Sequence, residues 1–179
     1  MGYRVEVAGP GRPALVSLRI GAEGSPAVEA ALGVALPRPA GLASGNGTVT
    51  VFGLGPHEWL VRVPPEEEER WLARLEAAAA GSFAAAVLVS DAWSVFTVTG
   101  PDTLDVLAQS TGVDVHPSVF PDGRAVRAGF ARISALIHRF DDRPSFDVYV
   151  DASLARYAER WFESAIGGGA DSSDVHHSS

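Results

Sequence analysis

The sequence predicts an α+β fold, a mostly antiparallel sheet with helices packed on one side. Three observations predict it. Short runs rich in β-branched and aromatic residues come in pairs parted by Gly, Pro, Asn and Asp. A single stretch with apolar residues at helical spacing follows each pair, three times over. The chain is also long enough for a proper core: 179 residues, 46% of them apolar and 20% charged. One domain is expected over residues 1–166, with residues 167–179 a polar, disordered tail.

Taken in order, residues 1–13 hold Gly9, Pro10, Gly11 and Pro13 and read as a loose lead-in with a marginal strand at 4–7. Residues 14–20 alternate as a strand does, with Leu15 and Val16 competing for the core face. A short helix over 26–34 closes at Leu36-Pro37-Arg38-Pro39. Residues 41–47 form a flexible loop carrying the turn signal Asn46-Gly47. Strands at 48–54 and 58–63 make a hairpin around Gly55-Pro56-His57. Pro64-Pro65 then opens a helix with four solvated acids, Glu66, Glu67, Glu68 and Glu69, facing its positive end. Trp71, Leu72 and Leu75 are its buried side.

The stretch 87–115 reads as strand, tight turn at Asp91-Ala92-Trp93-Ser94, strand, then helix. Pro101 suits the first helical turn and Asp102 the helix dipole. Leu104, Leu107 and Ala108 supply the apolar stripe, ending near Thr111-Gly112. Pro121-Asp122-Gly123 is a turn. Residues 126–130 and 132–138 look like one run of strand broken by a bend or bulge. Asp141-Asp142-Arg143-Pro144 turns the chain into a strand at 145–150. Asp151 caps the last helix, whose stripe is Leu154, Tyr157, Ala158, Trp161 and Phe162. A weak internal echo links Trp59-Leu60-Val61-Arg62-Val63 with Phe146-Asp147-Val148-Tyr149-Val150, each before a helix.

Composition removes several function classes. The net charge of −8 opposes binding to nucleic acid through phosphate contacts. All 14 basic residues are arginine, so Schiff-base and P-loop lysines are absent. There is no cysteine for disulfides, thiolate nucleophiles or iron–sulfur ligation. The N-terminus does not read as a signal peptide, and the weakly polar run 77–89 is too short to span a bilayer. A soluble, cytoplasmic protein with no membrane partner is expected.

The search for chemistry yields little. Gly53-Leu54-Gly55 resembles a dinucleotide loop, but Glu58 stands where the third glycine belongs and a strand follows. His57, His116, His138, His176 and His177 share no metal spacing. Asn46-Gly47-Thr48 matches a sequon without a secretory context, and no serine sits in an elbow motif. Arg124, Arg127, Arg132, Arg139 and Arg143 are either exposed strand charges or a surface for an acidic partner. Of the tryptophans Trp59, Trp71, Trp93 and Trp161, Trp93 in its turn is a possible interface anchor. No catalytic, cofactor-binding or metal residue is assigned.

A family resemblance runs through residues 14–165. Its pieces are Leu18-Arg19, Ala31-Leu32-Gly33-Val34-Ala35-Leu36-Pro37 and Leu54-Gly55-Pro56-His57-Glu58-Trp59-Leu60. Val89-Ser90-Asp91, Gly100-Pro101-Asp102, Leu107, Asp114-Val115-His116-Pro117 and Phe120-Pro121-Asp122-Gly123 follow. Ala131-Arg132-Ile133, Leu136-Ile137-His138 and the Phe146 strand complete it. The chain resembles the gamma subunit family of heterotetrameric sarcosine oxidase, itself similar to the folate-binding domain of glycine-cleavage T-protein.

The resemblance implies that fold and a non-catalytic subunit with alpha, beta and delta partners, chiefly alpha. FAD, FMN, NAD, tetrahydrofolate and zinc are expected in those partners and none in this chain. The complex would demethylate sarcosine to glycine with tetrahydrofolate as one-carbon acceptor. The alternative is a stand-alone tetrahydrofolate-binding, aminomethyltransferase-like domain, for which Asp91 and Asp114 are the candidate carboxylates.

Overall fold

In the computed structural model, which describes residues 2–141 and 143–167, contacts divide the chain into two compact units. One holds residues 12–93 and 123–127; the other holds the described parts of 1–11, 94–122 and 128–179. The elements begin with β1 (Glu6–Gly11), β2 (Leu15–Ile20), α1 (Ser25–Leu32), β3 (Ala43–Gly45), β4 (Thr50–Gly55) and β5 (Glu58–Arg62). They continue with α2 (Glu68–Ala79), β6 (Ala84–Leu88), β7 (Trp93–Thr99) and α3 (Thr103–Ala108). The last are β8 (Ala125–Phe130), β9 (Ile133–Asp141), β10 (Ser145–Asp151) and α4 (Ala155–Gly167).

The first unit builds a sheet in the order β3-β4-β5-β2-β6, every pair antiparallel. One face of β2 sends Val16, Leu18 and Ile20 into a core with Trp59 and Val61 of β5. Val28 and Leu32 of α1 and Trp71 and Leu75 of α2 close that core from the helix side. Fully burying an aliphatic side chain of this size is worth about 1.5–3 kcal/mol, which is why the helical period locks to this face. α1 ends at Gly33, whose φ of 69° is the left-handed closing geometry glycine adopts without a side-chain clash.

The second unit builds a sheet in the order β1-β7-β10-β9-β8. Its core is aromatic. Phe162 of α4 lies 5.4 Å from Phe96 and 5.1 Å from Phe130, and Trp161 meets Phe130 edge-on at 5.0 Å. Asp151 caps the α4 approach by accepting the Ser153 N–H at 2.8 Å, and the two Ser153 hydrogen bonds hold its carboxyl below the usual range. Gly167 ends α4; residues 168–179, where the tail was expected, lie outside the described residues, as does Asp142.

The two sheets trace the same path. In the first unit the chain runs β2, α1, β3, β4, β5, α2; in the second it runs β7, α3, β8, β9, β10, α4. Each is a split βαβ arrangement with one extra edge strand. The place beside the first strand is taken by β6 in one unit and by the N-terminal β1 in the other. The sequence echo falls on β5 and β10, which hold the same central position.

Four expectations change. The marginal strand at 4–7 lies later, as β1, and runs through Gly9-Pro10-Gly11. This edge strand tolerates proline because its register slips between Ala8 and Gly11. A Cβ at Gly9 would stand 2.7 Å from the Val95 carbonyl oxygen. The loop at 41–47 contains β3, because Asn46 accepts the N–H groups of Thr48 and Val49 and folds the chain back onto β4.

The strands of the 87–115 stretch do not pair: β6 and β7 belong to different sheets, and a 3₁₀ turn at Ser90–Ala92 separates them. Finally, β8 and β9 are not one bent strand but neighbours joined by Ala131-Arg132, with φ of 47° and 73°. Positive φ at both central residues is the hairpin geometry that Asn-Gly usually signals, and this sequence lacks that signal.

Candidate interaction surface

Most residues that drew attention in the sequence are tied into the scaffold. Asp91 projects with its side chain 91% exposed and accepts the Arg12 Nε–H at 2.7 Å. Arg12 turns its other two nitrogens on Glu68, at 3.2 and 3.0 Å. Glu68 in turn accepts from the Ser90 hydroxyl at 2.8 Å, and Ser90 Oγ accepts the Leu15 N–H at 3.0 Å. This chain of bonds joins the segment before β2, the start of α2 and the turn after β6. Bonding to Arg12 and then Ser90 lowers the Glu68 carboxyl below its ordinary value, and the Glu68 and Asp91 carboxylates raise the Arg12 guanidinium. The acidic start of α2 is therefore only partly a solvated charge run; Glu68 has fixed partners.

Asp114, the other carboxylate proposed for folate, is exposed and folds back to accept the His116 N–H at 2.9 Å. That is an Asx turn. Asp91 and Asp114 belong to different compact units. Asp102 sits at the N-terminal end of α3 but makes no capping bond. It accepts the Arg4 main-chain N–H at 2.8 Å and two guanidinium nitrogens at 3.2 and 3.1 Å. The α3 stripe is Thr103, Val106 and Leu107, whereas Leu104 is half-buried and Ala108 exposed.

The five arginines have different surroundings. Arg139 is 4% exposed and donates to the carbonyls of Phe120 and Asp141. Arg143 pairs with Asp141 at 3.6 Å. Arg124 and Arg127 lie in one unit and Arg132, Arg139 and Arg143 in the other. Trp59 and Trp71 are buried, while Trp93 and Trp161 are half-buried.

Gly53-Leu54-Gly55 runs through the β4–β5 hairpin, where Pro56 and His57 form the turn. His57 and His116 are exposed and His138 is buried; His176 and His177 lie outside the described residues. Among the described residues no cluster of three or more His, Asp or Glu is arranged to hold a metal ion.

Two features escaped the sequence reading. Asp147 is 4% exposed within β10 and accepts from the hydroxyls of Thr97 at 2.7 Å and Tyr149 at 3.4 Å. A lone charge inside an apolar strand was its visible signal. The second is an apolar surface at the end of the first sheet, where Phe83 is 90% exposed and Val87 54%. A cleft of about 680 Å³ opens beside Phe83, lined also by Gly21, His57 and Ala85 and by the charged Arg19 and Glu58. The signal there was the uninterrupted absence of charge from residue 77 to residue 90. Large exposed apolar residues on a strand mark a contact surface more often than a catalytic one.

Residues 21–167 match the model of the sarcosine oxidase, gamma subunit family. A sarcosine oxidase subunit gamma from Arthrobacter is 35% identical over 147 residues, spanning 82% of this chain and 71% of that relative. The heterotetrameric sarcosine oxidase from Corynebacterium sp. U-96, solved with pyrrole 2-carboxylate, has a chain that superposes with a TM-score of 0.84. The identity there is 28%, over 92% of this chain and 84% of that one. The glycine cleavage system aminomethyltransferase T from Bartonella henselae superposes with a TM-score of 0.70 at 13% identity, over 89% of this chain and 45% of that one. At that identity the likeness is one of fold.

Proposed function

Because the chain belongs to the sarcosine oxidase, gamma subunit family, we propose that it is the gamma subunit of a heterotetrameric sarcosine oxidase and works there without an active site of its own. The observation that carries this reading is the family match over residues 21–167, joined to a fold likeness covering 92% of the chain. The local chemistry supports a structural role. Asp91 and Asp114, the carboxylates a folate site would use, are spent on Arg12 and on a turn.

In this reading the partners are alpha-, beta- and delta-type subunits, with alpha the chief contact. FAD, FMN, NAD, tetrahydrofolate and zinc reside in those chains, which oxidise sarcosine and pass its one-carbon unit to tetrahydrofolate. The assembly is cytoplasmic; no helix among the described residues is long and apolar enough to cross a membrane.

Co-expression of this chain with the other three subunits, followed by gel filtration and an absorption spectrum, tests the reading. A yellow complex containing all four chains is the expected result, with no sarcosine oxidation by the isolated chain. Turnover by the isolated chain, or its consistent exclusion from the yellow fraction, would overturn it.

A further inference from the structure

Four strands end the two sheets: β1 and β8 in one, β3 and β6 in the other. An open edge offers a row of unpaired main-chain donors and acceptors, and soluble proteins ordinarily blunt it. Three of these edges are blunted. β1 carries Pro10 and a register slip, β8 carries exposed Arg127 and Gly129, and β3 has only three residues. β6 has none of these devices. Its residues are Ala-Ala-Ala-Val-Leu, and no ionisable side chain occurs from 77 to 90.

The register fixes which groups face outward. The Gly21 N–H bonds to the Phe83 carbonyl and the Val89 N–H to the Leu15 carbonyl. Bonded pairs alternate along an antiparallel ladder, so residues 83, 85, 87 and 89 face β2 with their main-chain groups. The N–H and C=O groups of Ala84, Ala86 and Leu88 therefore point away from the sheet. Beside them lie exposed Phe83 and the 680 Å³ cleft.

We propose that β6 is a docking edge, to which an extended segment of a partner subunit adds as a further strand. This rests on the subunit reading above. The added segment takes up the donors and acceptors of Ala84, Ala86 and Leu88 and seats one apolar side chain against Phe83. It is uncharged where it meets β6, whose own residues carry no charge; the Arg19 and Glu58 side chains that line the adjoining cleft already pair with each other at 3.6 Å. Its flanks are neutral or basic, complementing a chain of net charge −8. A second copy would bring the same −8. The chain's own residues 168–179, with Asp171 and Asp174, lack the apolar alternation an added strand needs.

Hydrogen exchange on the full chain, alone and assembled with the other three subunits, tests the inference directly. The Ala84, Ala86 and Leu88 amides should exchange at least tenfold more slowly in the complex. Ala84→Pro removes one outward donor at the first residue of an edge strand, where proline is tolerated. Phe83→Glu places a charge on the apolar patch.

Each variant should keep the circular-dichroism melt of the isolated chain and lower its recovery in the complex at least tenfold. Wild type that assembles without new protection, or variants that assemble as wild type does, would overturn the docking edge and leave the subunit reading standing. An isolated chain that dimerises, and that both variants make monomeric, would give the edge to a second copy instead. Wild type that never assembles would overturn both readings. Should either variant misfold, the wild-type exchange comparison alone decides.

Discussion

At the residue scale, Ser90 is a small side chain that ties together segments far apart in sequence. It is 2% exposed, and its oxygen serves a buried main-chain N–H and a carboxylate together. Ser90→Ala strands the Leu15 N–H, and an unsatisfied buried donor costs about 1–3 kcal/mol. Urea unfolding should show that loss with an unchanged slope. Glu68 makes the same network sensitive to pH.

Its carboxyl is lowered in the folded chain, first by Arg12 and then by Ser90, from an ordinary 4.5. A depressed carboxyl stabilises the fold above that ordinary value, and the contribution is lost as pH falls through the folded value. The stability difference between wild type and Glu68→Gln should therefore be constant near neutrality and shrink toward zero on acidification below about 4.5. A difference that grew on acidification would contradict the assignment. Residue types alone exposed Glu68 as a helix-start acid; its partner Arg12 lies 56 positions away and sat unnoticed in a loose lead-in.

At the element scale, strands were legible wherever their period was clean, as in β2, β5 and β10. α4 lies where its stripe put it, but Ala158 and Phe162 are its buried residues, whereas Tyr157 is exposed and Leu154 precedes the helix and is exposed. Strand edges and reversals were less legible. The turn at Ala131-Arg132 shows the reason. Neither residue favours positive φ, and the geometry is held from outside: the Ala131 N–H donates to the Ser110 carbonyl at 2.8 Å, and the Tyr157 hydroxyl donates to the Ala131 carbonyl. A left-handed non-glycine residue stores about 1–2 kcal/mol. Arg132→Asn, which tolerates that region, should raise the stability of the fold by about 0.5–1 kcal/mol. Tyr157→Phe should lower it by about 1 kcal/mol, because the ring stays and the hydrogen bond goes. Chemical denaturation of the two single variants and the double variant would show whether turn and tyrosine act together.

At the scale of the whole molecule, the same strand path is used twice, each time around its own core. The halves differ in how the outer place is filled: β6 follows its helix directly, while β1 comes from the far end of the chain. Each core should then open as its own unit before global unfolding. Leu75 is fully buried beneath the first sheet, and Leu75→Ala should cost about 2–5 kcal/mol. Native-state hydrogen exchange should quicken first in β2, β4, β5 and β6, and later in β9 and β10. Equal acceleration in both sheets would show one cooperative unit.

By itself the sequence determined the fold class, the positions of most elements and the family, because these rest on local period, turn chemistry and ordered short motifs. It also determined which chemistries are absent, since no cysteine or lysine can be supplied by folding. Only the tertiary structure decided how the strands beyond the β4–β5 hairpin pair, that β6 and β7 part into separate sheets, and that β8 and β9 reverse at Ala131-Arg132. The physical reason is the range of the interactions. Pairing, edge exposure and the Arg12–Glu68–Ser90 network are set by contacts between distant residues, whose energies exceed the local preferences that a linear reading detects.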